Sequence, residues 1–236
     1  MTVLSIAHRG DPIRHRENTV EAVAAAIEAG ADMVEIDVRL TADGAPVLLH
    51  DADLSRLWGL DRALAGLELV DVQAVKGPAG QRIPGLQEVA RLATEQDCQL
   101  MVDLPAADAG PVAYDLLDRL GLLDSMLFAG RTGPLRAHSS SARIALSWES
   151  IELPTEELLR ERRPEYFNPY FRLLTGGIVD EMHDRGMQVS VWTVDHPADM
   201  AAAIAQGADA IISNSILELA AAIEREAWRD GIVGRV

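Results

Sequence analysis

Short apolar runs alternate with amphipathic helical segments along almost the whole chain, and this alternation limits the fold more than any other feature. Strands are predicted at about 3–8, 33–39, 99–104, 125–129, 143–148, 165–169, 188–194 and 209–213. Helices are predicted near 86–96, 110–120, 155–163, 175–185 and 197–206, after a first helix that begins near residue 18. This order is typical of a parallel sheet covered by helices.

The first helix has the clearest sequence signals at its two ends. Asn18 is predicted to cap its N-terminus, with Glu21 at the third helical position. Gly30 is predicted to end the helix, because glycine adopts the left-handed conformation that often follows a last turn. The helix therefore joins the first strand to the second.

One further apolar run, 46–50, is also predicted to be a strand. Only residues 41–45 separate it from the second strand, whereas a parallel crossover needs about a dozen residues, so the two strands form an antiparallel hairpin. Eight β/α units then remain, the number that closes a TIM barrel. The alternative is an open doubly wound sheet, but no GxGxxG turn follows the first strand.

We therefore predict an α/β fold in which residues 1–236 form a single TIM (β/α)8 barrel domain. The barrel carries the extra hairpin strand and a short insertion after strand two. The insertion covers about 58–85, where several Gly and Pro residues interrupt any regular periodicity, and it is predicted to be irregular.

The charge balance limits the possible partners. With 37 acidic and 21 basic residues, the formal charge is −16, so nucleic acid and anionic membranes are not expected to bind. A phosphate substrate would need local positive charge from a metal ion or from arginines, since Lys76 is the only lysine. No run approaches the roughly 18 apolar residues of a membrane span, so stable membrane insertion is not expected. No leader is evident, and we therefore expect a cytoplasmic protein.

The single cysteine, Cys98, excludes an intramolecular disulfide and a cysteine-based zinc site. It is predicted to be a core residue. Nothing in the sequence indicates an oligomeric state.

The C-terminal ends of barrel strands face the active site, so the predicted strand ends supply the candidate functional residues. These are His8, Arg9, Glu35, Asp37, His50, Asp103, Trp192, Ser213 and Asn214. The remaining histidines lie in helical or loop contexts and are assigned no role; they are His15, His138, His183 and His196.

Glu35 and Asp37 lie two residues apart on a strand, so their side chains point to the same side. Two carboxylates in one interior repel each other unless a cation lies between them, and an oxygen-rich pair suits Mg²⁺ or Ca²⁺. A pair of surface carboxylates on an edge strand is the alternative.

His8 and His50 are the two histidines at strand ends, and such a pair can act as the base and the acid of one displacement. Either histidine taken alone is more often a structural residue. Arg9 could bind a phosphate oxygen or form an ordinary ion pair with Glu17 or Glu35. Trp192 could pack against a substrate or belong to the core.

These residues lie within a series of short motifs. In order they are His8-Arg9-Gly10, Glu17-Asn18-Thr19, Gly30-Ala31-Asp32, Glu35-x-Asp37-Val38, Thr41-x-Asp43-Gly44, Val47-x-x-His50-Asp51, Ile83-Pro84-x-Leu86-x-Glu88, Val191-Trp192-Thr193-Val194 and Gly207-Ala208-Asp209-Ala210-Ile211-Ile212. Each motif alone is weak. Their order and spacing together resemble the glycerophosphodiester phosphodiesterase (GDPD) family over nearly the whole chain.

The resemblance implies a TIM barrel that hydrolyses glycerophosphodiesters to an alcohol and glycerol 3-phosphate. It implies a divalent metal ion, Mg²⁺ or Ca²⁺, held by Glu35, Asp37 and the strand-three carboxylate of Asp103. His8 and His50 would be the acid–base pair, with Arg9 on the phosphate. The sequence leaves open which histidine is the acid.

The chain departs from the family pattern in two places. Where the family usually has Glu-x-Lys on strand three, this chain has Asp103-Leu104-Pro105, and Ser213-Asn214 replaces the usual Thr-Asp. The missing lysine would need compensation by an arginine. Arg131 after strand four and Arg172 after strand six are the candidates, with Arg131 preferred.

The leading hypothesis is therefore a phosphoric diester hydrolase of lipid metabolism that acts on glycerophosphodiesters, or a related phosphodiesterase with a different head-group preference. The first alternative is a catalytically weakened barrel that binds phosphate esters. The second is another metal-dependent barrel hydrolase such as an amidohydrolase, which generally needs more histidine ligands than these strand ends provide.

Overall fold

The computed structural model describes residues 3–229. In chain order the strands are β1 (Leu4–His8), β2 (Met33–Leu40), β3 (Pro46–Leu48), β4 (Asp53–Leu54), β5 (Leu60–Ala63), β6 (Gln99–Leu104), β7 (Met126–Gly130), β8 (Ala145–Trp148), β9 (Tyr166–Pro169), β10 (Gln188–Val191) and β11 (Ala210–Ser213). The helices are α1 (Val20–Glu28), α2 (Ser55–Trp58), α3 (Leu69–Ala74), α4 (Leu86–Glu95), α5 (Ala109–Leu120), α6 (Gly133–His138), α7 (Glu156–Arg162), α8 (Gly176–Asp184), α9 (Pro197–Ala205) and α10 (Ile216–Arg229).

Eight parallel strands form a barrel in the order β1-β2-β6-β7-β8-β9-β10-β11, and β11 pairs with β1. The seam between β7 and β8 is closed by a parallel bridge between Phe128 and Ile144 and by a bond from Phe128 N to Arg143 O of 2.9 Å. The predicted TIM barrel is confirmed. Its strands follow one another around the ring in chain order, as right-handed β/α crossovers require.

Apolar side chains fill both sides of the barrel wall, because the strands are covered on both faces. The barrel interior contains Ile6, Met33, Met101, Leu127, Ala129, Ala145, Tyr166, Ala210 and Ile212. A larger core lies between the strands and the surrounding helices, and it includes the buried Cys98. The interior is therefore packed below the mouth formed by the C-terminal ends of the strands.

The first helix begins one residue later than the sequence indicated. Its N-cap is Thr19, whose hydroxyl accepts a 3.3 Å hydrogen bond from Ala22 N, so the prediction that Asn18 caps it was wrong. Asn18 has φ +56° and its side chain turns away from the helix. Thr19 has the extended backbone conformation that an N-cap residue adopts, with φ −113°. The left-handed backbone of Asn18 does not have this conformation. Gly30, with φ +82°, follows the last turn as predicted.

The extra strand β3 pairs antiparallel with β2, with Val38 opposite Leu48, as the short connection predicted. The segment after it, which the sequence led us to expect as irregular, contains the β4–β5 hairpin and the helices α2 and α3. It has its own small apolar core, formed by Val47, Leu49, Leu54, Leu64, Leu67, Val72 and Ile83. Each of these elements is at most six residues long, too short to give a clear periodic pattern.

Among the described residues the longest helix is α10, with 14 residues. Between residues 3 and 229, no helix is both long enough and apolar enough to cross a bilayer.

Arg136 on α6 stabilises the seam at which the barrel closes. It is 8% exposed, and its guanidinium donates hydrogen bonds to five backbone carbonyls and no carboxylate. The acceptors, 2.6–3.4 Å away, belong to Ser139, Ser140, Ala142, Arg162 and Arg163. Three of them lie on the loop that enters β8 and two at the end of α7. Burial lowers the pKa of Arg136, and the nearby charges of Arg163 and Arg162 add to the effect.

Replacing Arg136 with Met should destabilise the fold by at least about 2 kcal/mol, because buried carbonyls lose their donors while the apolar stem is kept. Urea unfolding of the purified variant measures this loss. The matched control is Arg160→Met on the exposed face of α7, where a change within about 0.5 kcal/mol is expected. Equal stability of both variants and the wild type would show that the carbonyl cluster does not hold the seam.

Candidate active site

A pocket of about 410 Å³ opens at the C-terminal ends of the barrel strands. Its lining contains eight of the candidates taken from the strand-end rule and the arginine argument: His8, Arg9, Glu35, Asp37, His50, Asp103, Arg131 and Trp192. The candidates Ser213, Asn214 and Arg172 are not part of the lining. The eight lining residues come from five barrel strands or the loops that follow them and from the loop after β3. Only closure of the barrel brings them to one place.

Three carboxylates meet at one side of this pocket. Glu35 and Asp37 on β2 are 4% and 2% exposed, and Asp103 on β6 pairs in register with Asp37. One oxygen from each carboxylate lies within 4.8 Å of the other two. We call Glu35, Asp37 and Asp103 the acidic trio.

The acidic trio is electrostatically unfavourable when all three groups are ionised. Burial, followed by the charges of Asp37 and Asp103, raises the pKa of Glu35 well above its usual value. Burial and the charge of Asp37 raise the pKa of Asp103 to about 7. Arg9 offsets only part of this repulsion, and three converging carboxylate oxygens fit a hard divalent cation, so these residues could hold Mg²⁺ or Ca²⁺.

Asn18 orients the central carboxylate of the trio. Its side-chain amide donates to Asp37 Oδ2 at 2.6 Å, and its carbonyl oxygen accepts from Asp37 N at 3.0 Å. The left-handed backbone of Asn18 directs the side chain into the barrel mouth rather than along α1. The sequence analysis assigned it to the helix cap, because cap and ligand-orienting asparagines look alike before the fold is known.

Gly130, at the end of β7, leaves the space that Asp103 occupies. A Cβ atom there would lie 2.8 Å from Asp103 Oδ1 and 2.8 Å from Leu104 O, and its φ of +74° also favours glycine. The carboxylate of Asp103 therefore depends on a glycine from the neighbouring strand.

His8 is held by a chain of hydrogen bonds from the last strand. Its Nδ1 lies 2.8 Å from Asn214 Oδ1, and Asn214 Nδ2 donates to Asp195 Oδ2 at 2.9 Å. Because the amide nitrogen of Asn214 faces Asp195, its oxygen faces His8 and Nδ1 is the protonated nitrogen. Burial and then the charge of Arg9 lower the pKa of His8. The neutral ring thus has its lone pair on Nε2.

Arg9 joins the acidic trio to a neighbouring carboxylate. Its backbone N–H donates to Glu35 Oε2 at 2.8 Å, and its Nη1 donates to Glu17 Oε1 at 2.9 Å. Its Nε lies 3.2 Å from Asp37 Oδ2. The ion pair with Glu17 that the sequence left open as an alternative is therefore present, while the guanidinium also lines the pocket.

His50 is connected to Arg9 through Asp51, Arg56 and Glu17. Its Nδ1 is 2.8 Å from Asp51 Oδ1, and Arg56 Nε donates to Asp51 Oδ2 at 2.6 Å. Arg56 also binds both oxygens of Glu17, at 2.7 and 3.0 Å. The hydrogen bond from Arg56 is the main cause that lowers the pKa of Asp51 to about 2. Asp51 is therefore ionised, so His50 Nδ1 is the donor.

The far side of the pocket is aromatic. Trp192, which follows β10, donates from Nε1 to Asn168 O at 2.9 Å. Its ring contacts that of Tyr170 edge-on, with 5.9 Å between the ring centroids.

The two candidate arginines lie in different places. Arg131 lines the pocket. Arg172 instead lines a neighbouring groove, with its guanidinium carbon 5.3 Å from the ring of Phe171.

Several other residues that the sequence analysis discussed lie away from the pocket. Lys76 is exposed and donates to Gln73 O. His138 and His183 form surface pairs with Asp115 and Asp209, respectively.

This chain matches the model of a known protein family. The model of the glycerophosphoryl diester phosphodiesterase family matches residues 8–119 and 134–218. A glycerophosphodiester phosphodiesterase of Caldanaerobacter subterraneus is 26% identical over 91% of this chain and 95% of its own length. One from Arabidopsis thaliana is also 26% identical, over 89% of this chain and 70% of its own.

Solved structures share the fold. An Oleispira antarctica phosphodiesterase in complex with the product sn-glycerol-3-phosphate superposes with a TM-score of 0.81, at 22% identity, over 94% of this chain and 97% of its own. A glycerophosphodiester phosphodiesterase from Thermotoga maritima gives 0.80, also at 22% identity, over 94% and 98%. At this identity the likeness demonstrates the barrel fold.

The raised pKa of Asp103 predicts how stability without a cation depends on pH. Because its pKa is about 7 in the folded chain and 3.8 for an unperturbed group, folding takes up a proton. The stabilisation is present at low pH and is lost as pH rises through about 7. The Tm in EDTA should therefore fall as pH rises from about 5 to about 7.5, which covers the upper part of this titration, and it should fall less steeply in Asp103→Asn.

Differential scanning fluorimetry can measure this dependence, with exposed Asp108→Asn as the matched control, which should keep the wild-type slope. Adding Mg²⁺ or Ca²⁺ at the higher pH should raise the Tm of the wild type and not that of Glu35→Gln. Indifference of the wild-type Tm to every divalent ion would contradict a cation site at the acidic trio.

Proposed function

Since this chain belongs to the glycerophosphoryl diester phosphodiesterase family and is a phosphoric diester hydrolase, we propose that it hydrolyses glycerophosphodiesters to glycerol 3-phosphate and an alcohol. The observation that carries this proposal is the convergence in one pocket of the acidic trio, two histidines and two arginines. A phosphodiester needs positive charge on its phosphoryl oxygens and proton transfer at the attacking and leaving oxygens. This pocket offers groups for both needs.

Glu35, Asp37 and Asp103 would hold a divalent cation, Mg²⁺ or Ca²⁺. When bound, such an ion supplies positive charge that stabilises the phosphoryl group during displacement. Asn18 and the backbone N–H of Arg9 fix the orientations of two of the three carboxylates. The side chains of the trio are thus restrained before a cation binds.

His8 would act as the base. The chain from Asp195 through Asn214 keeps the proton on Nδ1, and burial favours the neutral ring, so Nε2 can accept a proton. In the first displacement this proton comes from the neighbouring glycerol hydroxyl as its oxygen bonds to phosphorus. In the second displacement water opens the resulting cyclic phosphate: His8 returns its proton to the glycerol oxygen as the ring P–O bond breaks, and the neutral His50 takes a proton from the attacking water.

His50 would act as the acid in the first displacement. Its Nδ1 is occupied by the hydrogen bond to Asp51, which leaves Nε2 to carry the proton that is transferred. Its side chain is 42% exposed, so the water of the second displacement can reach it and restore its proton. The proton goes to the alcohol oxygen as its bond to phosphorus breaks.

Arg131 would compensate for the lysine that the strand-three motif lacks. Leu104 pairs with Gly130, so Pro105 and Arg131 come next on two adjacent strands, and both line the pocket. The guanidinium thus originates beside the position where the family usually has lysine. Arg9 would contact the phosphate from the side of β1.

The test of the proposed function is release of glycerol 3-phosphate from glycerophosphodiesters in the presence of Mg²⁺, Ca²⁺ or EDTA. His8→Ala and His50→Ala should each lower kcat by at least about 100-fold, the scale of a lost acid–base group. His138→Ala and His183→Ala, which remove surface histidines, are the controls and should keep wild-type kcat. Binding of phosphate esters without any turnover by the wild type would favour the weakened, ligand-binding barrel instead.

For Arg131→Ala we expect kcat/KM to fall about tenfold or more, equivalent to about 1.4 kcal/mol of transition-state binding. Arg172→Ala removes an arginine outside the pocket and serves as the control. The double variant Asp103→Glu/Pro105→Lys restores the family pattern for comparison. If Arg131→Ala is neutral while the double variant gains strongly, Arg131 does not compensate for the missing lysine.

A further inference from the structure

The pocket contains a carboxylate that the proposed mechanism does not use. Glu149 follows β8 and lines the pocket, but it is outside the acidic trio. Among residues 3–229, no hydrogen bond or ion pair involves its side chain, and it is exposed to solvent. The other carboxylates of the lining belong to the acidic trio.

Glu149 lies on the side of the pocket that faces the acidic trio. In the eight-stranded ring, β2 and β6 carry the trio, and β9 and β10 lie directly across the barrel from them. Glu149 follows β8, which is adjacent to β9. Asn168 lies near the C-terminal end of β9, and Trp192 follows β10. All three residues line the pocket, so Glu149 and Trp192 stand on either side of Asn168 along one wall.

An unpaired carboxylate is an unfavourable neighbour for an anionic phosphodiester unless it meets a cation. The other charges of the pocket have assigned counterparts: the acidic trio a metal ion, Arg9 its carboxylates, and Arg131 the phosphate. Glu149 is then the charge that remains. A substrate that carries a positive charge a few bonds from its phosphate would complement it.

Trp192 supplies a second feature suited to a cation. Its indole is fixed by the hydrogen bond to Asn168 O and by the edge-on contact with Tyr170. A restrained indole attracts ammonium groups, including quaternary ones, through the negative potential of its ring face. An acid and an indole on the same wall form the pair of contacts that amine recognition uses.

We propose that Glu149 and Trp192 form a subsite for the positively charged amine of the alcohol head group, so that amino-alcohol glycerophosphodiesters are the preferred substrates. This inference rests on the proposed function, because it places the phosphate at the acidic trio. The glycerol then lies on the side of His8, and the alcohol extends toward β8–β10. Both a primary ammonium and a quaternary ammonium satisfy this chemistry.

The experiment compares two substrates that share the glycerol and the phosphate. Glycerophosphocholine carries a cationic head group, and glycerophosphoglycerol carries a neutral one. Glu149→Gln should lower kcat/KM about tenfold for glycerophosphocholine, mainly through KM, and less than about twofold for glycerophosphoglycerol. Trp192→Leu should also lose more activity toward the choline substrate than toward the neutral one.

The matched control is Glu152→Gln, which makes the same charge change on the same exposed loop but outside the pocket. It should leave the ratio of the two kcat/KM values unchanged, which separates a local contact from a general effect of net charge. Glycerophosphoethanolamine distinguishes a primary from a quaternary ammonium. Its primary ammonium can donate N–H hydrogen bonds to the carboxylate, whereas the quaternary head group of glycerophosphocholine has no N–H donor.

Equal losses for both substrates in Glu149→Gln would mean that the carboxylate binds the glycerol or orders the loop, and the amine subsite would be overturned. No loss for either substrate would overturn it as well. Both results leave the proposed function standing, because the wild type still hydrolyses the diesters. If the wild type hydrolyses neither substrate with any metal ion, the proposed function itself fails, and the subsite fails with it.

Discussion

Glu35, Asp37 and Asp103 confine three carboxylates to a small volume at the barrel mouth, with their nearest oxygens within 4.8 Å. Adjacent strands create this crowding, because the pairing of β2 with β6 puts Asp37 beside Asp103. Much of the surrounding structure serves this arrangement. Asn18 holds one carboxylate from a left-handed position, and Gly130 leaves room for another. Because these carboxylates repel one another, the site favours the binding of a positively charged group.

The second half of the site comes from outside the barrel ring. His50 follows the hairpin strand β3, and Arg56 lies on α2, in the segment that leads from β3 into the insertion. Arg56 joins Asp51 to Glu17, and Glu17 pairs with Arg9, so the insertion is connected to the first strand through alternating charges. A rigid ring thus supplies the acidic trio and His8, while a smaller appended unit supplies His50. The ion pairs of this network hold the insertion against the barrel, so that His50 and His8 line the same pocket.

The mouth separates charges by position around the ring. Carboxylates gather on β2 and β6, Arg131 stands beside them after β7, and Glu149 with Trp192 lies across the opening. This layout complements a molecule with an anion at one end and a cation at the other. The chain carries a formal charge of −16, so an anionic substrate is attracted by these few placed groups and not by the surface as a whole.

The sequence alone determined the eight strands, the hairpin, and eight of the residues that line the pocket, because alternation and strand-end position are local properties of the chain. It did not reveal the partners that orient them. The contacts of Asn18 with Asp37, Arg56 with Glu17, and His8 with Asn214 join residues 19, 39 and 206 positions apart. Only closure of the barrel and docking of the insertion decide such contacts, because hydrogen bonds form between groups that tertiary packing brings together, whatever their separation in the chain.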